Sequence, residues 1–270
     1  MKKVEVQGHR GARSVLPENT LAGFEYAMQI GVDTLEFDLG VTADEVVVVS
    51  HDQKINTTIC QHLDGSQIED SKWLHEMTLE EVKSIDCGAK PNPRFPNQEL
   101  RPQSQIPTLD EVFELVSSSS LANAKQILFN IETKSDPRIP HAQPEPKRFV
   151  ELILEIVEKH NVSERVTIQS FDHRTLRAAK LMAPAIQLSA LFEQAPDDWV
   201  AATKEAQADI VSPYYKIIDQ DSVNKMQAAG LQVIPWTANS EESWQQLIDL
   251  GVDGIISDDP APLIKFLSNH

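Results

Sequence analysis

The chain has 270 residues, 41% of them hydrophobic, with 41 acidic against 24 basic side chains and a formal net charge of −17. Such a length buries a full core and suits one large α/β domain spanning 1–270 better than two small ones. The charge argues against nucleic acid and against stable association with an anionic membrane, since both need a basic face. It leaves room for a small phosphate substrate held by a few local cations. No apolar run approaches the roughly 20 residues that span a bilayer. Met1-Lys2-Lys3 is followed by no apolar stretch, so the start does not read as a secretory signal and the expected location is the cytoplasm. Cys60 and Cys87 stand in no metal-ligand spacing and are expected to be ordinary reduced thiols. Composition says nothing of oligomeric state.

Short Val/Ile/Leu-rich segments, the signature of buried parallel strands, occur near residues 4–7, 34–39, 46–50, 127–133, 166–169, 187–191, 209–211, 232–235 and 254–256. Between 4–7 and 34–39 lies a punctuated helix. Asn19 or Thr20 caps it, Leu21, Phe24 and Met28 form its apolar stripe, and Gly31 ends it. The segments 34–39 and 46–50 are too close for a crossover helix, so the second is an antiparallel return strand. From about 52 to 107 the chain is polar and Pro/Asn-rich, with a helix candidate at 78–85, and reads as a small insertion over one end of the domain. The four prolines in 137–146 mark a second rim loop. Helix-compatible stretches follow at 149–160, 174–182, 222–229 and 241–250. Setting the return strand aside leaves eight parallel strands alternating with helices, which predicts a (β/α)₈ TIM barrel with a small inserted subdomain after the hairpin.

Strand alternation supplies the chemistry. In Thr34-Leu35-Glu36-Phe37-Asp38-Leu39 the apolar side chains share one face, and Glu36 and Asp38 share the other. Two neighbouring carboxylates need a cation or a shared proton; a hard divalent metal with oxygen ligands meets that need, and so do arginines or lysines of the barrel. In Phe129-Asn130-Ile131-Glu132-Thr133-Lys134 the polar face offers Glu132 as a third oxygen ligand and Lys134 for a phosphate oxygen; a plain neighbour pair on a solvated strand end is the other reading. If 34–39 folds back on 46–50 through a turn near 43–45, His51 comes opposite Phe37, within reach of both carboxylates. It is then a candidate acid or base, or else a capped loop histidine beside Asp52. Gly8-His9-Arg10-Gly11 sits at the C-terminal end of the first strand, the rim where barrel active sites lie. His62, His75, His141, His160, His173 and His270 fit no constellation, and Glu18 is expected to organise the start of the first helix.

In order along the chain, His9-Arg10-Gly11-Ala12, Pro17-Glu18-Asn19-Thr20, Glu36-Phe37-Asp38, His51-Asp52, Ile106-Pro107-Thr108-Leu109, Ile131-Glu132-Thr133-Lys134, Ser170-Phe171, Trp236-Thr237-Ala238-Asn239 and Asp253-Gly254-Ile255-Ile256-Ser257-Asp258 resemble the glycerophosphodiester phosphodiesterase family. The resemblance implies a barrel with an inserted subdomain and hydrolysis of small glycerophosphodiesters to sn-glycerol 3-phosphate and an alcohol. It implies one divalent metal ion, Mg²⁺, Ca²⁺ or Mn²⁺, on Glu36, Asp38 and Glu132. It also implies His9 and His51 as general acid and base, Arg10 and Lys134 on the phosphate, and Trp236 along the glycerol side. The residues do not say which histidine is the acid, nor whether water or a glycerol hydroxyl attacks. Two alternatives stand beside this reading: a related barrel phosphodiesterase acting on phospholipids, and a barrel that binds phosphodiesters without turning them over. The turn Thr42-Ala43-Asp44-Glu45 departs from the family's usual Thr-Lys-Asp-Gly, and Ser257 stands where threonine is usual.

Overall fold

The chain is described here by a computed structural model over residues 3–269; Met1, Lys2 and His270 lie outside the described residues. The chain runs β1 (Glu5–His9), α1 (Leu21–Ile30), β2 (Thr34–Val41) and β3 (Val47–Val49), then β4 (Gln61–His62), α2 (Leu79–Lys83), β5 (Ile85–Asp86) and α3 (Leu109–Ser118). It continues through β6 (Leu128–Thr133), α4 (Pro146–Lys159), β7 (Val166–Ser170), α5 (His173–Met182), β8 (Gln187–Phe192) and α6 (Trp199–Glu205). It ends with β9 (Ile210–Pro213), α7 (Gln220–Ala228), β10 (Gln232–Val233), α8 (Glu241–Leu250), β11 (Gly254–Ser257) and α9 (Pro260–Leu267). The parallel strands lie in the order β10-β9-β8-β7-β6-β2-β1-β11, with β3 paired antiparallel to β2. Between β11 and β10 the ring is drawn together by backbone bonds from Asp253 N to Val233 O (2.8 Å) and from Ile256 N to Pro235 O (3.0 Å). The fold is a nearly closed TIM barrel of eight parallel strands.

Alternation divides the core as the sequence implies. Leu35, Phe37, Leu39, Phe129 and Ile131 are fully buried against the helical layer. The other faces of β1, β2, β6 and β7 carry Gln7, Glu36, Asn130 and Gln169, all buried, and the Asn130 amide donates to Gln7 Oε1 (2.8 Å) and Gln169 Oε1 (3.0 Å). Ile210, Ile234 and Ile256 form a separate small apolar cluster from β9 to β11. One side of the barrel interior is therefore polar and the other apolar, which places charged groups on the β1–β2–β6 side.

Thr20 caps α1 by accepting from Gly23 N, and Gly31 closes it in a left-handed conformation. Three helices go beyond the sequence reading: α3, α6 and α9. The first has a readable signal, a reciprocal Thr108/Glu111 capping box ahead of Leu109, Val112, Phe113 and Val116. The helix expected at 78–85 stops at Lys83 because Ile85 and Asp86 pair with His62 and Gln61. The segment between β3 and α3 thus has its own antiparallel ladder and its own apolar cluster, including Ile55, Leu74, Val82 and Ile106.

That ladder corrects the cysteine expectation. Gln61 faces Asp86, so the same register carried one step outward sets Cys60 opposite Cys87, with Cα atoms 4.0 Å apart, and the two form a disulfide. Pairing across a ladder absent from composition is what spacing alone did not reveal. Disulfides persist mainly in oxidising compartments, so the pair counts against the cytoplasmic expectation. Denatured, unreduced protein should show no titratable thiol, and the Cys60→Ser/Cys87→Ser variant should lose about 3.5 kcal/mol of stability, the entropy of closing a loop of this size. Two free thiols in the unreduced protein would contradict the bond.

Candidate functional site

The site starts at a backbone turn. β1 ends at His9, and the chain reverses through Arg10 (φ 50°) and Gly11 (φ 90°). A β-carbon on Gly8 would lie 2.2 Å from the Gly11 carbonyl oxygen, so only glycine permits the reversal. The turn points Arg10 N at Glu36 Oε2 (3.0 Å), and Asn19 N closes the loop on Arg10 O (3.1 Å).

Register does the rest. His9 pairs with Glu36 across β1–β2, and Asp38 with Glu132 across β2–β6. Glu36, Asp38 and Glu132 are buried, and one oxygen from each lies within 4.8 Å of the others. Glu36 accepts from Arg10 N and from Gln169 Nε2 (2.6 Å). Asp38 Oδ2 accepts from Asn19 Nδ2 (2.9 Å) and lies 3.1 Å from Arg10 Nε, an ion pair whose angle is not that of a hydrogen bond. Glu132 Oε1 accepts from Lys134 Nζ (2.7 Å).

The electrostatics show the strain of this arrangement. Burial, then Asp38 and Glu132, hold the Glu36 carboxyl well above the usual carboxylate range. Burial also raises Glu132, against the pull of Lys134. Burial acts on Asp38 in the same direction, but Arg10, His51 and Lys134 outweigh it and keep Asp38 ionised. Asp38 Oδ1 is a buried acceptor with no hydrogen bond, 3.7 Å from Lys134 Nζ. An orphaned oxygen between two further carboxylates fits a hard divalent cation with all-oxygen ligation.

His9 and His51 border the same cleft, of about 920 Å³, with Arg10, Lys134 and Trp236. His9 Nδ1 lies 2.5 Å from Asp258 Oδ1, and its Nε2 is 4.0 Å from Glu36 Oε2. Burial lowers the His9 pKa, with Asp258 opposing. Asp258 is held at about 2: burial raises it, and His9, Arg13 and Asn239 bring it down. His51 follows β3 and bonds through Nδ1 to Asp52 Oδ1 (2.8 Å), while Asn56 Nδ2 donates to Asp52 Oδ2 (2.7 Å). Trp236 donates from Nε1 to Ser212 O (3.0 Å) and packs against Phe171 and Tyr214, each with ring centroids 5.5 Å away.

Sequence reasoning gave no role to several residues that build the site. Asp258 orients His9 from 249 residues away, and the β1–β11 register that joins them is invisible to local pattern. Asn239 fixes Asp258 by donating to Oδ2 and accepting from Asp258 N, both at 2.8 Å. Glu18 does more than organise a helix start: its two oxygens take Arg10 Nη1 (2.7 Å) and Arg13 Nη2 (2.8 Å).

A sequence profile of the glycerophosphoryl diester phosphodiesterase family matches residues 9–262. The chain belongs to that family. It is 34% identical to a glycerophosphodiester phosphodiesterase of Caldanaerobacter subterraneus over 98% of both chains. A solved structure from Silicibacter pomeroyi, named for the same family, superposes with a TM-score of 0.91 at 30% identity, covering 99% of this chain and 94% of that one. A phosphodiesterase of Oleispira antarctica, solved with the product sn-glycerol-3-phosphate, shares the fold with a TM-score of 0.82 at 23% identity, covering 98% and 96%. Among the described residues no helix is long and apolar enough to cross a membrane.

The raised Glu36 pKa carries a stability consequence. A carboxyl whose folded pKa exceeds its unfolded value contributes stability that is full below the unfolded pKa and is lost as pH rises through the folded one. The metal-free chain should therefore lose stability above the ordinary carboxylate range. Metal-free Glu36→Gln should melt above the wild type at pH 8 by roughly 2–4 °C, the shift that about 1 kcal/mol gives a domain of this size. A variant that melts below the wild type at that pH would refute the repulsion.

Proposed function

We propose that this chain hydrolyses glycerophosphodiesters to sn-glycerol 3-phosphate and an alcohol, with one divalent cation held by Glu36, Asp38 and Glu132. The observation that carries the reading is the buried carboxylate trio with no hydrogen bond to Asp38 Oδ1, two of its members, Glu36 and Glu132, lining a cleft bordered by two histidines in a member of this family. A bound cation supplies Lewis acidity at a phosphoryl oxygen. Arg10 and Lys134 add positive charge for the phosphate, the first as a fork and the second as a point charge. Both already lean on the carboxylates, Arg10 on Glu18 and Asp38, Lys134 on Glu132, so their geometry is set before substrate arrives. Trp236, with Phe171 and Tyr214, offers an apolar wall to the glycerol carbons.

Burial, more than hydrogen bonding, favours distinct roles for the histidines: each Nδ1 faces a carboxylate, but the His9 side chain is 13% exposed and that of His51 33%. His9 Nδ1 faces the Asp258 carboxylate, which leaves Nε2 toward the carboxylate trio, and burial lowers the pKa of the ring against the pull of Asp258. His9 is therefore the base that takes the proton of the attacking oxygen, and His51 the acid that protonates the leaving alcohol. Such proton transfers are typically worth about 10²–10⁴-fold in rate.

Phosphorus NMR of glycerophosphodiesters with and without EDTA tests the activity. Chelation should abolish turnover, and Mg²⁺, Ca²⁺ or Mn²⁺ should restore it; full turnover after exhaustive chelation would overturn the cation's place. For the histidines, His51→Ala should lose far more activity on glycerophosphocholine than on an activated aryl diester, whose leaving group needs little protonation. His9→Ala should lose both by about 10²-fold or more. The reverse pattern would exchange the roles, and equal losses in both variants would refute separate roles.

A further inference from the structure

The cleft is electrically lopsided. Around the ring, Asp136 follows β6, Phe171 and Asp172 follow β7, Glu193 follows β8, and Tyr214 and Trp236 follow β9 and β10, so this arc of the mouth is aromatic and carries three acids, of which Asp136 and Asp172 are paired with Arg138 and Arg174. The arc after β1, with the segment inserted after β3, contributes Arg13 and Arg94. Arg13 is only 4% exposed. Its guanidinium stacks on Phe95 at 5.0 Å, its Nη2 reaches Glu18, and its buried Nε makes no hydrogen bond but lies 3.8 Å from Asp258 Oδ1.

Arg94 is brought there by a specific dock. The Gln98 amide donates to the carbonyls of Arg13 (2.7 Å) and Leu16 (3.0 Å), and Glu99 N donates to Val15 O (2.8 Å). Arg10, Lys134 and Arg138 border the same cleft, and each is paired with a carboxylate. Among the described residues the Arg94 side chain forms no ion pair. Gathering guanidiniums this way is costly: after burial itself, Arg10 and Arg94 are among the charges that disfavour a charged Arg13. An anion seated between the two side chains relieves that repulsion, and a phosphate matches the forked donors of both.

We propose that Arg13 and Arg94 form a second anion subsite that reads a phosphate carried by the leaving alcohol, making the preferred substrates glycerophosphodiesters whose alcohol bears a further phosphate group. This rests on the diesterase reading above. The substrate then lies across the cleft, with its glycerol on the aromatic wall, its scissile phosphate over Glu36, Asp38 and Glu132, and its outer phosphate on the arginines. The segment inserted after β3 thereby selects the alcohol.

The test compares glycerophosphoglycerol with the same compound phosphorylated on its terminal hydroxyl, so that the two substrates differ only in the outer phosphate. Wild-type kcat/KM should favour the phosphorylated diester by about tenfold, mostly through KM, a factor equivalent to about 1.4 kcal/mol. Arg94→Glu, at an exposed position, should bring that ratio to one or below. Arg13→Lys, which keeps the charge and loses the fork, should reduce the ratio in part. A wild-type ratio of one or less, or a ratio unchanged by Arg94→Glu in a variant that melts like the wild type, overturns the subsite while leaving the diesterase reading intact. Glycerophosphocholine outranking both substrates would overturn it too, by assigning alcohol selection to the acidic arc. Failure of the wild type to turn over any of the three diesters overturns the diesterase reading, and the subsite with it.

Discussion

Glu36, Asp38 and Glu132 hold three carboxylates within 4.8 Å of one another in a buried site, and that repulsion organises the half of the barrel that contains them. Burial and mutual repulsion raise the pKa of Glu36 and Glu132, while Arg10 and Asn19 gather on Asp38 and Lys134 on Glu132. The polar interior behind them follows from the same need. Gln169 gives one amide hydrogen bond to Glu36 and accepts another from Asn130, which in turn bonds Gln7. A partly satisfied buried network is costly, so each member of this chain of amides fixes the next. Asp38 Oδ1 is left without a hydrogen bond, as are Asn19 Oδ1 and Asn130 Oδ1, and its place among three carboxylates marks where a cationic ligand fits.

The surroundings of the trio are set by backbone geometry as much as by side chains. The left-handed Arg10-Gly11 pair reverses the chain close enough for Arg10 N to reach Glu36. The β1–β11 register brings Asp258 to His9, and Asn239, three positions past the bridge residue Trp236, locks Asp258 in turn. The inserted segment clamps the loop after β1 through Gln98 and Glu99. Its disulfide closes the ladder, Cys60 N donates to Asn56 O (2.9 Å), and Asn56 holds the Asp52 that holds His51.

Strand alternation made the carboxylate face of β2 and the Glu132 face of β6 legible in the sequence, because a period of two residues is enough to separate Glu36 and Asp38 from Leu35, Phe37 and Leu39. The hairpin register was legible too, and β3 pairs Val49 with Leu39 as the turn position required. Contacts between distant segments were not. Asp258 and Gln169 act through neighbours set by the barrel, Glu18 acts within the loop after β1 through the left-handed turn at Arg10, and the Cys60–Cys87 bond depends on a ladder of two residues per strand, too short to leave a pattern. The departure at Glu45 shows the opposite case. A residue stands at φ 60° where the family's usual glycine would sit without strain, and a forked Arg148 holds its carboxylate at 2.8 and 3.0 Å. The sequence marks the substitution, but only the fold shows the arginine that steadies it.

The central claim is that the trio is a cation site. Crystals grown with Mn²⁺ and measured at the manganese absorption edge test it most directly. The account predicts a single strong anomalous peak within about 2.0–2.6 Å of oxygens from Glu36, Asp38 and Glu132, the range of hard-cation bonds to oxygen. A fully ordered site with no peak there, or with Mn²⁺ bound only elsewhere in the cleft, would contradict it.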